Sequence, residues 1–281
     1  MKIPVTGIFG AVCGDIIGLP YEFRGTRTKD YNFPFKIQDF SDDTILTVAI
    51  AHWMLNGELT PESLRQQLID YSLCFKDKNV WGRGYQEWFL SGGTTDRRGI
   101  ASNGAAMRVS PIAYASDDID EVLGLAGMSA RLTHDSDEAE RGAQAVAAAV
   151  FFARQGKSKE FVREWISTRF QYDLSRTVEQ IQPDYHFEIL CDRCVPESII
   201  CWLQAQSYEQ AVRNAVSLGG DADTMAAMAG AMAAATPGME IPLSIAMPCF
   251  SIIPEDFKQV ILNFTEAHLL PGLEPDPLCY F

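Results

Sequence analysis

The sequence predicts an all-α protein, on three observations. Apolar residues recur at helical rather than alternating spacing almost throughout. Strand signals are weak, with few Val/Ile/Thr alternations and no Asn-Gly or Asp-Gly turn between two of them. The 281 residues contain no internal repeat, low-complexity segment or flexible linker. That length allows one large domain or two ordinary ones, and without a linker a single compact helical domain over residues 1–281 is expected.

In chain order, Met1 to Leu19 is apolar enough to resemble a short signal peptide. Pro4, several glycines and Asp15 interrupt it, however, and no Ala-x-Ala-like site follows, so it is expected to stay with the fold. Thr44 to Leu55 is an apolar helical segment, and Thr60-Pro61 then reads as an N-cap followed by proline at the first helical position. Residues 91–104 and 182–196, rich in Gly, Ser, Thr, Asp and Pro, read as loops. Between them, Asp137 to Arg154 is an alanine-rich helix with Gly156 as its C′ glycine. Ser207, with Gln210 three residues on, reads as a capping box opening a helix that stops at Gly219-Gly220. Met225 to Ala235 contains only Met, Ala and Gly, and such small side chains predict a central helix packed closely against its neighbours.

Composition narrows the function. The 47% hydrophobic and 21% charged content is that of a globular protein with a sizeable core. A net charge of −14 argues against a nucleic-acid backbone or an anionic membrane as the main partner. Nothing reaches the ~20 apolar residues that span a bilayer. Seven cysteines, scattered and odd in number, point to a reduced, cytoplasmic setting rather than a disulfide scaffold.

Two acidic clusters carry the chemistry: Ser41-Asp42-Asp43-Thr44 and Asp221-Ala222-Asp223-Thr224, each just before an apolar helix. Ordinary capping would use Ser, Asp or Thr in the same places. Capping needs one acceptor, though, and each cluster supplies two carboxylates, so buried surplus charge would require a counterion. Gly219-Gly220 directly before Asp221 lets backbone and ligand come close. If the clusters meet, they form an oxygen-only site for a hard divalent cation such as Mg²⁺ or Mn²⁺.

Other candidates are weaker. Cys191-x-x-Cys194, with His186 and Cys201 nearby, has zinc-like spacing but no second pair, and no βαβ pattern supports a redox role. His134, alone before a helix, reads first as a capping or surface residue. The stretch Gly99 to Arg108 is Gly/Ser/Asn-rich, and its backbone N–H groups could bind a pyrophosphate, although it matches no nucleotide fingerprint.

Taken in order, these segments resemble the ADP-ribosylglycohydrolase family. Gly10-x-x-x-Gly14-Asp15-x-x-Gly18-x-Pro20-x-Glu22 is similar to its opening motif, and Ser41-Asp42-Asp43-Thr44 to its first metal motif. Ser102 to Arg108 resembles its central motif, and Leu132-Thr133-His134 and Gly219 to Thr224 complete the series. The resemblance implies a compact all-α fold with two Mg²⁺ or Mn²⁺ ions in a central cleft, held by Ser41, Asp42, Asp43, Asp221, Asp223 and Thr224. It also implies acid–base and gating roles for Glu22. Gly99, Ile100, Ala101, Ser102 and Asn103 would line the ribose and diphosphate, His134 would contact the sugar, and Gly219 and Gly220 would face the substrate. Ser41 stands where the family usually has threonine; it keeps the hydroxyl and loses the methyl that fixes the rotamer.

The expected function is a metal-dependent hydrolase releasing ADP-ribose from a modified acceptor, arginine first. Glu22 is expected to transfer the proton, with a metal-bridging Asp221 or Asp223 as the alternative. Serine-linked or small-molecule conjugates, a non-catalytic ADP-ribose-binding protein of the same fold, and a phosphoesterase for another nucleotide are the other readings.

Overall fold

The computed structural model describes residues 2–4, 6–33, 39–268 and 278–280. Its helices in chain order are α1 (Gly7–Gly18), α2 (Asp42–Asn56), α3 (Pro61–Cys74), α4 (Arg83–Leu90), α5 (Ile119–Thr133), α6 (Asp137–Arg154) and α7 (Lys159–Phe170). They continue with α8 (Val178–Ile181), α9 (Cys191–Leu203), α10 (Tyr208–Ser217), α11 (Ala222–Ala235), α12 (Leu243–Ile252) and α13 (Glu255–Ala267). Short 3₁₀ turns lie at Leu19–Tyr21, Asn103–Ala105 and Ser110–Tyr114. The termini meet as a small antiparallel pair, β1 (Lys2–Pro4) with β2 (Leu278–Tyr280), Lys2 opposite Tyr280. The all-α expectation holds around this one short ribbon.

The centre is built by two helices whose backbones touch. All 12 residues of α1 are buried, and α11, the Met/Ala/Gly run, is buried along almost its whole length. A Cβ placed on Gly14 would stand 2.1 Å from the carbonyl oxygen of Ala226, and one on Gly10 would stand 2.4 Å from that of Gly230. Gly230 reciprocates, with Gly10 O 2.5 Å from its would-be Cβ. Such approach needs glycine at Gly14 and, where Gly10 meets Gly230, on both helices, and it produces the rigid, close-packed seam expected of interiors. Helices α6, α9 and α10 pack on α11, and α2 packs on α1. The N-terminus of α11 and that of α2 are thereby mounted on one rigid block.

Local signals explain most boundaries. Ser41 caps α2 by accepting from Asp43 N, and Gly57 ends the helix in the left-handed region at φ 81°. Thr60 and Ser63 form a reciprocal capping box at α3, with Pro61 at the first position. Gly156, at φ 68°, follows α6 as expected. Ser207 accepts from Gln210 N at α10, but the returning half of the box is displaced: Gln210 Oε1 accepts from Gln206 N at 2.7 Å.

One expected loop is too long. Of residues 182–196, the last part is helical, because α9 begins at Cys191 and contains Pro196. Proline supplies no local helix signal. Burial of Cys191, Cys194, Val195, Ile199 and Ile200 against α6 and α11 stabilises the helix instead. Among the described residues, no helix is long and apolar enough to cross a membrane.

Candidate metal centre and its cleft

The two acidic helix starts meet. Thr224 Oγ1 donates to Asp43 Oδ2 at 3.1 Å, and Ser41 Oγ donates to the same oxygen at 3.1 Å. The site opens into a cleft of about 540 Å³ lined by Glu22, Ser41, Asp42, Asp43, Asp221, Asp223 and Thr224. Every metal ligand expected from the sequence therefore faces one space. The two starts differ in kind. Ser41 is a working N-cap, whereas the Asp221 side chain makes no cap bond to α11 and accepts from Asn103 Nδ2 at 2.7 Å instead.

Asp15 belongs to this site and was absent from the expected ligands. It lies on the buried α1, so its carboxylate needs partners. The start of α2 supplies them: Asp15 Oδ2 accepts from Ser41 N at 3.0 Å, Thr44 N at 3.1 Å and Thr44 Oγ1 at 2.5 Å. Oxygens of Asp15, Asp43 and Asp223 lie within 4.8 Å of one another, as do those of Glu22, Asp221 and Asp223. Asp223 is common to both groups. The sequence signal was an acid inside an otherwise apolar, wholly buried segment.

The chemistry of this donor set fits divalent cations. Among the described residues, no lysine or arginine pairs with Asp15, Glu22, Asp42, Asp43, Asp221 or Asp223. Asp43 Oδ1 and Asp223 Oδ1 are buried without a hydrogen-bond donor. Carboxylates so placed resist ionisation. Burial first, then repulsion between neighbouring carboxylates, pushes Asp42, Asp43 and Asp223 well above the usual range. Asp221 is raised by burial and eased by its hydrogen bonds, and Asp15 behaves likewise. Glu22, half-buried at the rim, is raised to about 7 by burial, then by Asp221 and Asp15. Hard cations with oxygen ligands reverse this cost.

The Gly/Ser/Asn stretch forms another wall. Ile100, Ser102, Asn103 and Gly104 line the cleft, whereas Gly99 and Ala101 do not. Gly99 turns the chain at φ 75°, and Ala101 O accepts from Cys191 N at 2.9 Å. The loop spends several of its N–H groups internally: those of Gly99, Ile100 and Asn103 bond to Asp135, Arg97 and Ile189 carbonyls. Among its described residues, Ser102 and Gly104 line the cleft and their N–H groups make no such backbone bond.

His134 is buried, caps α5 and lines the cleft. Its Nδ1 lies 2.8 Å from Thr133 Oγ1, and burial, then Arg108 and Arg97, holds its pKa well below the ordinary value. Burial thus favours its neutral form. Gly219 lies outside the main cleft, in the adjoining pocket with Phe23 and Arg27, and a Cβ on Gly220 would meet Tyr185 Cε1 at 2.4 Å. Among the described residues, Cys191 and Cys194 form no metal cluster. Their Sγ atoms donate to Ser102 O at 3.3 Å and Glu188 O at 2.7 Å, tying α9 to the cleft wall.

Sequence reasoning also missed the segment opposite the carboxylates. Trp81, Tyr85 and Arg97 line the cleft, and Trp81 stacks on Tyr85 at 5.7 Å. The run Trp81-Gly-Arg-Gly-Tyr85 was the available signal, with aromatic rings and an arginine held between glycines. Arg108, fully buried, donates to Ser129 O at 2.8 Å and Thr133 Oγ1 at 2.6 Å beneath His134.

Comparison with known proteins finds likenesses to one family. The model of the ADP-ribosylglycohydrolase family matches residues 5–269. The chain is 29% identical to ADP-ribosylhydrolase ARH3 of Bos taurus, over 93% of this chain and 89% of that protein. It is also 29% identical to ADP-ribosylhydrolase ARH3 of Homo sapiens, over 62% of this chain and 57% of the human protein's length. A solved structure of an ADP-ribosylglycohydrolase-related protein complex shares the fold, with a TM-score of 0.72 and 21% identity, covering 94% of this chain and 97% of that one.

Proposed function

Because the chain belongs to the ADP-ribosylglycohydrolase family, we propose that its cleft is the active site of a divalent-metal-dependent hydrolase that releases ADP-ribose from a modified acceptor. One observation carries this reading: two acidic helix starts, 181 residues apart at Thr224 and Asp43, close on each other beside a Gly/Ser/Asn wall and leave carboxylate oxygens without donors.

Ser41, Asp42, Asp43, Asp221, Asp223 and Thr224 would hold two Mg²⁺ or Mn²⁺ ions, with Asp15 supporting them from beneath. When bound, such ions orient neighbouring ribose hydroxyls and lower the pKa of water, as metal centres do in hydrolysis generally. The chain's own residues divide the remaining work. Glu22 is carried by a short turn at the rim, half-buried and in reach of Asp221 and Asp223, and is assigned proton transfer. Asp223, shared by both carboxylate groups, stabilises positive charge developing at the anomeric carbon. The ribose and diphosphate are assigned to Gly99, Ile100, Ala101, Ser102 and Asn103, with Gly99 and Ala101 shaping the loop and the others reaching the cleft. His134, neutral and rigid, is a hydrogen-bonding partner for the sugar. Gly219 and Gly220 contribute as close-packed backbone beside Asp221.

Arginine is the acceptor proposed first, since its cationic guanidinium suits a carboxylate-lined cleft on a chain of net charge −14. Mass-spectrometric detection of free ADP-ribose from an arginine-ADP-ribosylated peptide tests the reading, with Mg²⁺, with EDTA and with Asp223→Asn. Release that requires both metal and Asp223 supports it. Release only from a serine-linked peptide would replace the acceptor, and release indifferent to EDTA and to the substitution would remove the metal mechanism.

A further inference from the structure

The residues between Glu22 and Tyr31 form an arm beside the cleft, and the Arg27 guanidinium ties the middle of that arm to the segments around Tyr185 and Leu218. Arg27 Nη1 donates to the carbonyls of Gln182 and Leu218, both at 2.5 Å, and its Nη2 donates to that of Tyr185 at 2.5 Å. Gln182 returns the contact: its Nε2 donates to Arg27 O and to Ser217 O, each at 2.8 Å. Arg27 therefore links three segments at once: the Glu22 arm, the loop that carries Phe187 and Ile189, and the turn immediately before Asp221.

Two glycines make room for this knot. Gly219 adopts φ 70°, and a Cβ on it would stand 3.1 Å from Arg27 Nε, so the guanidinium lies over bare backbone. Gly25 turns the arm at φ 61° and donates its N–H to Tyr21 O at 2.8 Å. On the cleft side of the knot, Phe23 stacks on Phe187 with ring centroids 5.7 Å apart, although Phe23 is 82% and Phe187 48% exposed. Beyond it, Arg213 Nη1 donates to Lys29 O at 3.0 Å and Tyr31 O at 2.6 Å, fixing the far end of the arm. Glu22 thus sits on a short span between α1 and the Arg27 knot.

We infer that Arg27 is a positioning residue: its guanidinium, by joining the Glu22 arm to the Tyr185 loop and the Leu218 turn, sets where Glu22 stands relative to Asp221. It touches no reacting atom. Planar, forked donors suit this task, because an ammonium presents a point charge and cannot reach three separated carbonyls with the same geometry. The role of Glu22 in this inference rests on the function proposed above, whereas the placement of the arm does not.

The test uses the full-length protein with Arg27→Ala and Arg27→Lys, read by amide hydrogen exchange and by steady-state kinetics on the ADP-ribosylated peptide. Arg27→Ala is expected to speed exchange at least ~10-fold over residues 20–31, 182–189 and 217–220, leaving α6 and α13 unchanged. The same variant is expected to lower kcat about 10-fold with KM within about twofold, and Arg27→Lys to fall between it and the parent. Unchanged exchange in those three segments overturns the inference. So does loosened exchange with an unaltered kcat, because the arm would then be held without positioning Glu22. Loosened exchange in Arg27→Ala, with a parent protein that releases no ADP-ribose, supports the knot and removes the hydrolase reading instead.

Discussion

Thr224 Oγ1 donates to Asp43 Oδ2 at 3.1 Å, a single hydrogen bond that joins the N-termini of α2 and α11 across 181 residues. It satisfies one oxygen of a buried carboxylate whose other oxygen has no donor. Replacing Thr224 with Val keeps the shape and removes the donor. The expected cost is about 1–3 kcal/mol of stability in the metal-free protein, together with weaker Mn²⁺ binding. Urea unfolding and calorimetric titration check both. An unchanged midpoint with unchanged affinity would show that the hydroxyl links nothing.

Asn103 holds Asp221 from the opposite side, at 2.7 Å. Groups that orient a ligand from behind commonly contribute 10–100-fold to metal affinity. Asn103→Ala is therefore expected to weaken Mn²⁺ binding by roughly 10-fold or more, measured by loss of the free-ion EPR signal. Parental affinity would mean that Asp221 is oriented by α11 alone.

Metal removal and pH are coupled through the same carboxylates. Folding raises the pKa of Asp42, Asp43 and Asp223, so the metal-free folded state keeps protons that the unfolded chain releases near the ordinary aspartate range. Stability then falls as pH rises from the ordinary aspartate range, about 4, through neutrality. Saturating Mg²⁺ should flatten the dependence. Scanning calorimetry at several pH values, with EDTA and with Mg²⁺, decides it, and a metal-free Tm that rises across that window would contradict the expectation.

The central seam offers a contrast between two glycines. Gly14→Ala would drive a Cβ to within 2.1 Å of Ala226 O, a clash with backbone that no rotamer relieves. A loss of about 3 kcal/mol or more is expected. Gly124 lies exposed within α5 with nothing within 4 Å of its would-be Cβ. Gly124→Ala should instead stabilise by about 0.5–1 kcal/mol. Similar unfolding midpoints for the two variants would refute the backbone contact between α1 and α11.

What could be read from the sequence was local. Ser41, Thr60 and Gly156 mark helix ends through contacts within a few residues, so chain order alone reveals them. The paired carboxylates at Asp42-Asp43 and Asp221-Asp223 were legible for the same reason, since two acids at a helix start exceed what capping uses. The small-residue run from Met225 to Ala235 likewise announced close packing, because side-chain size limits how near two helices can come.

What required the tertiary structure was every relation spanning the chain. Asp15 joins the site only because α1 lies under the start of α2, and Arg27 matters only because three distant carbonyls converge on it. The start of α9 at Cys191 depends on burial against α6 and α11, which overrides the local effect of Pro196. Local signals act through bonds and neighbouring hydrogen bonds that the order of residues dictates. Long-range partners are selected by packing free energy summed over the whole core, and no short window of sequence contains that sum.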